Sequence, residues 1–134
     1  MTRHPQWEQR LHDYLAAAFD EKHAYGKHDC VIHCLNAIRA VTGKDLGRPH
    51  RGKYSTRVGA ALHLKKIGIA DLEGFFDALL PEKPIGYAQR GDIILDRDGI
   101  PAVCVGEFAL VAAENVDGLQ RVPATQWVKA WAVG

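Results

Sequence analysis

Apolar residues fall at helical spacing in the first half of the chain and in short runs in the second. Trp7, Leu11, Tyr14, Leu15 and Ala18 recur every three to four positions. That period predicts a helix from about residue 5, where Pro5 suits a first turn, to Phe19. A turn-like stretch, AYGKHD, follows. A second helix is predicted from about Asp29 to Thr42, with Asp29 as N-cap and Gly43 at the left-handed stop. Val31, Cys34, Leu35, Ile38 and Val41 give it an apolar stripe broad enough to be buried on most sides. Residues 44–54 form a polar, glycine-containing loop. Ser55 or Thr56 can cap a third helix through Leu64, closed near Gly68. DLEGFFDALL reads as a short apolar helix that Pro81 ends.

The second half changes character. Arg90-Gly91-Asp92 precedes IILD, a DRDG turn, IPAVCVG, FALVAAE, a turn at Asp117-Gly118, and LQRVP. These are short strands punctuated by Asp, Gly and Pro. Gln126–Val133 alternates and fits a last strand. Helices followed by an antiparallel meander predict a single α+β domain over residues 1–134.

Length supports a real core. A 14.8 kDa chain is expected to expose roughly 7,000 Å² when folded and to bury about two-thirds of its unfolded surface, so it needs no disulfide or metal staple. The three cysteines are an odd number, which argues against a disulfide framework. Lys and Arg total 17 against 16 Asp and Glu, so no nucleic-acid partner is expected. No apolar run approaches a membrane span, and MTRHPQWEQR lacks the apolar core of a signal peptide. Synthesis and folding in a cytoplasm are therefore expected.

Cys30 is the residue with most chemistry to offer. At the start of a helix, free N–H groups and the helix dipole favour a thiolate. Against that stands the buried, inert cysteine. Asp29 either caps the helix or orients a functional group. His28, Cys30, His33 and Cys34 offer four metal-ligand types within seven residues, but zinc sites usually draw on two separated pairs. No metal and no cofactor is expected; Cys34 reads as core and His33 as partly exposed. Cys104, alternating with Val103 and Val105, reads as packing. Trp7 and Trp131 fit core faces better than a binding surface shared with Trp127. In the loop GRPHRGKYSTR, Arg48, His50, Arg51 and Tyr54 are the preferred residues for contact with a partner, against an ordinary exposed loop.

Ala24-Tyr25-Gly26-Lys27-His28-Asp29-Cys30 resembles the aromatic–Gly–x–x–Asp–Cys approach to the nucleophile helix of NlpC-type papain-like cysteine peptidases. In those proteins a small antiparallel sheet follows, and a Gly-Asp strand start, here Gly91-Asp92, precedes the strand that carries the catalytic histidine. The chain is more similar still to a small family of that fold encoded among the tail genes of long-tailed bacteriophages. The likeness rests on an ordered set: a Trp-containing first helix, the Cys30 helix start, Thr42-Gly43-Lys44-Asp45, Arg51-Gly52-Lys53-Tyr54, Arg90-Gly91-Asp92, Gly118-Leu119-Gln120-Arg121-Val122-Pro123 and Ala130-Trp131.

The resemblance implies a papain-like domain with Cys30 at the nucleophile position. One departure stands out. The expected histidine falls at Ala102 or a neighbour, and none of residues 100–106 is histidine. All seven histidines precede residue 64. Without a base, thiol activation is lost. The resemblance therefore implies a catalytically inactive protein of the tail tip or hub, located in the virion tail and contacting other tail proteins. The alternative is a cell-wall cysteine hydrolase using Cys30 with Asp29 and a non-standard base, His28, His50 or His63.

Overall fold

Four helices come first, and three of them start at a side-chain cap that the sequence supplies. The computed structural model describes all 134 residues, with α1 at Trp7–Ala18, α2 at Cys30–Thr42, α3 at Arg57–Lys66 and α4 at Leu72–Leu79. Asp29, Thr56 and Asp71 each accept a hydrogen bond from the backbone N–H three residues on, at the start of α2, α3 and α4. Gly43 ends α2 with φ at 81° and donates its N–H to the Arg39 carbonyl. Eight residues of α2 are buried, so this helix is the spine of the domain.

The strands are β1 (Glu82–Lys83), β2 (Ile93–Asp96), β3 (Pro101–Cys104), β4 (Phe108–Val111), β5 (Gln120–Pro123) and β6 (Trp127–Trp131). They form one antiparallel sheet in the order β1-β6-β2-β3-β4-β5, and the fold is α+β. Strands β2 to β5 are the expected meander. β6 does not extend it but returns to pair with β2, and the two-residue β1, absent from the sequence pattern, covers its outer side.

That return forces the sheet to curl. β5 and β6 are four strand spacings apart in sheet order, about 19 Å if flat. The link between them is one 3₁₀ turn, Ala124–Gln126, and even an extended chain from Pro123 to Trp127 reaches only about 14 Å. Trp127 accordingly donates its indole N–H to the Val122 carbonyl of β5 at 3.1 Å. A register shift at Leu95/Asp96 places an extra residue in β6. Strict alternation would put Trp127 and Trp131 on one face. The bulge instead sends Trp131 to the helix side and Trp127 to the other core.

Two apolar clusters result. The larger joins α2 and α4 to Ile93, Leu95, Val103 and Trp131. The smaller lies inside the curl and includes Ile94, Ala102, Cys104, Val122 and Trp127. Cys34 and Cys104 are fully buried, as packing requires, and Cys30 sits where the two clusters meet. The folded surface is 7361 Å², close to the expectation from mass.

Two buried polar groups hold this frame. Asp92, with no exposed surface, accepts from Arg3 and the Val133 N–H on one oxygen and from Lys83 and the Gln89 N–H on the other, at 2.7–3.0 Å. Chain start, chain end and β1 thus converge on one carboxylate. His33 is not partly exposed; it has no solvent contact. Its Nε2–H donates to the Leu110 carbonyl at 3.1 Å, and its Nδ1 accepts from the Tyr14 hydroxyl at 2.7 Å. Burial holds this imidazole neutral, with its pKa lowered to about 3.

Candidate functional site around Cys30

The turn before α2 is built from its motif residues. Gly26 adopts φ +83°, and a Cβ there would lie 1.9 Å from the Tyr54 carbonyl oxygen, so only glycine fits. Its N–H donates to Asp29 Oδ2 at 2.8 Å, and its carbonyl accepts from the Gly52 N–H at 2.8 Å. Asp29 also caps Ile32 through Oδ1 at 2.8 Å and accepts the Tyr54 hydroxyl on Oδ2 at 2.8 Å. The carboxylate is 3% exposed and therefore fully committed to the fold. Burial, and then the Asp29 charge, push the Tyr54 hydroxyl well above its ordinary range, so it stays a donor.

Cys30 lies just beyond this turn, partly buried. Its thiol is pushed up to about 12, first by burial and then by the Asp29 carboxylate. The N–H groups of Val31 and Cys30 oppose the shift but do not overcome it. This is the reverse of what the helix N-terminus alone predicts. Desolvating a thiolate costs more than the helix end returns when an anion, rather than an imidazolium, is the neighbour. None of the groups that set this thiol's ionisation is an imidazole. Ala102, at the position where the resemblance expects histidine, is fully buried in the cluster that Cys30 packs against.

The candidate bases lie in two places. His28 is 2% exposed; its Nδ1 lies 3.7 Å from Glu21, and its ring meets His33 edge-on. Its Nε2 has no hydrogen-bond partner. Burial lowers its pKa. His50 and His63 share a hydrogen bond at 2.9 Å, Nδ1 to Nε2, and line a cavity of about 70 Å³ with Cys30, Asp29 and Tyr54. The rest of that lining is mainly apolar, including Leu64, Leu72 and Phe75. Burial, then His63, lowers the pKa of His50. A second opening, about 230 Å³, meets Cys30 from the other side between His23, Tyr25, Arg57 and Glu114. No sequence motif marks His23 or Glu114 for this place, because only the fold brings residues 23 and 114 together.

The loop residues expected to face a partner mostly face the protein. Arg51 makes a forked pair with Asp45 at 3.0 and 3.1 Å and reaches Asn36 on α2 at 2.7 Å. Tyr54 is engaged by Asp29, and His50 by His63 and the edge of Phe75. Arg48 alone of the four is exposed.

Chemically, the arrangement is a protonated thiol beside a structural carboxylate. It is not a thiolate–imidazolium pair. No group of three or more His, Cys, Asp or Glu side chains is arranged to hold a metal ion. No helix is long and apolar enough to cross a membrane. No curated protein and no solved structure gives a significant match. A family model described as "Domain of unknown function (DUF6950)" matches residues 2–133. That span takes in every element from α1 to β6, and the chain belongs to this family.

Proposed function

We propose that the protein is a structural or assembly component of the tail tip or hub of a long-tailed bacteriophage. In this reading it keeps an NlpC-type papain-like fold without the chemistry. It is made in the host cytoplasm, docks on other tail proteins and resides in the virion tail. The observation that carries the loss of catalysis is Cys30 itself: its thiol is pushed up to about 12 beside Asp29, and Ala102 stands where a histidine is expected. At neutral pH such a group is thiolate in roughly one molecule in 10⁵. The ordered motifs support the tail assignment. Mass spectrometry of purified virions tests it. The chain is expected at a fixed stoichiometry in mature particles, and its consistent absence contradicts the reading.

A second reading, a cysteine hydrolase of cell-wall peptides, draws on one observation: the His50–His63 pair lines the same cavity as Cys30. It predicts fragment release from peptidoglycan that Cys30→Ala abolishes. The first reading predicts no release from either protein.

A further inference from the structure

Charge is unevenly distributed along this nearly neutral chain. Residues 46–70 contain six of the 17 Lys and Arg residues and none of the 16 Asp and Glu residues. The remainder carries 11 basic against 16 acidic residues. Arg51 is taken up by Asp45, but Arg48, Lys53, Arg57, Lys65 and Lys66 are exposed and make no salt bridge. Arg57, Lys65 and Lys66 lie on α3 itself, and Arg48 and Lys53 lie in the loop before it.

α3 is also the one α-helix with no buried residue. Its inner side is occupied, since Ala60, His63 and Leu64 face the Cys30 cavity. The outer side of such a helix is normally polar. Here it shows Val58, Leu62 and Ile67 at 69%, 59% and 44% exposure. Val58 and Leu62 are one turn apart and form a short apolar stripe. Beside it runs a groove of about 470 Å³, with Pro49, Leu62 and Ile67 on its walls and Lys53 and Lys66 at its margins.

We infer that this outer face of α3 is a docking surface for an acidic, apolar segment of another protein. The groove takes the partner's apolar side chains, and Lys53 and Lys66 meet its carboxylates. Charge complementarity selects the occupant: an unpaired basic rim around apolar walls matches acidic residues flanking Leu, Ile or Phe. The observations do not favour nucleic acid, because no Phe, Tyr or Trp ring lines the groove for stacking, and His63 on its wall is bonded to His50. Nor do they favour lipid, because the ten-residue helix presents no exposed aromatic to an interface. This assignment relocates the partner contact from the loop to the helix after it. It stands independently of the tail-tip reading.

Selection of a random-peptide display library on the purified protein tests it. Enriched peptides are expected to combine Asp or Glu with large apolar residues, and their binding is expected to weaken as salt rises. Leu62→Ser alone and Lys53→Glu with Lys66→Glu are each expected to weaken binding about tenfold or more. Those side chains are exposed, so unchanged thermal melting separates lost binding from lost folding. Amide shifts induced by the best peptide are expected at Lys53, Leu62, Lys66 and Ile67. Absence of enrichment, enrichment without acidic residues, or binding unaffected by both variants overturns the assignment. So does tighter binding of a single-stranded oligonucleotide or of phosphatidylglycerol vesicles, unaffected by Leu62→Ser.

Discussion

Tyr54 donates its hydroxyl to Asp29 Oδ2 at 2.8 Å, and this bond ties the loop before α3 to the start of α2. The carboxylate that a peptidase-like reading would give an orienting role is already filled. It caps a helix, closes the Gly26 turn and anchors Tyr54. Tyr54→Phe is expected to cost about 1–1.5 kcal/mol and Asp29→Ala about 2–4 kcal/mol, because the second removes a cap and strands buried donors. Urea unfolding at neutral pH measures both.

Gly26→Ala is expected to cost roughly 3–4 kcal/mol. It combines a left-handed backbone with a collision against the rigid Tyr54 carbonyl. Amide exchange at Gly52, whose N–H donates to the Gly26 carbonyl, is expected to accelerate with it.

Stability is expected to fall in mild acid, with His33 as the cause. Its folded pKa, about 3, lies below the unfolded value of 6.5. The contribution is therefore complete above about pH 6.5 and is lost as pH falls toward 3, at about 1.4 kcal/mol per unit. Between pH 7 and pH 5 the loss is about 2 kcal/mol. His28, lowered by burial, acts in the same direction. Urea midpoints at pH 7 and pH 5 read the loss, and imidazole nitrogen shifts of His33 are expected to stay those of the Nε2–H tautomer at pH 5.

Asp92→Ala is expected to cost about 3–5 kcal/mol, since it leaves Arg3 and Lys83 without their shared buried partner. Hydrogen exchange at Val133 and Gln89, the two amides it accepts from, is expected to lose protection first.

These expectations mark what local pattern carries and what it does not. Asp29 and Gly43 bound α2 because caps and stops act within one turn, and β2 and β5 end at their own Asp96 and Pro123. The return of β6, the two-residue β1 and the bulge that parts Trp127 from Trp131 depend on register and curl. No short window contains those. The site divides the same way. Cys30 and Asp29 share a sequence motif, and the helix start they form was legible. The height of the Cys30 pKa was not, because its largest cause is burial by residues far along the chain. His33 escaped for the same reason: its partners, Tyr14 and the Leu110 carbonyl, lie on two other elements.

The central claim is that Cys30 holds a nucleophile's place without a nucleophile's ionisation. The pH profile of iodoacetamide labelling at Cys30 in the folded protein, resolved by peptide mass spectrometry, tests it most directly. The thiol is expected to react about 10³-fold more slowly at pH 8 than an unperturbed cysteine. Its rate should climb about tenfold per pH unit to pH 10 without a plateau, and urea should restore ordinary reactivity. Rapid labelling that levels off below about pH 7 would mean a thiolate paired with a cation, and would contradict the account.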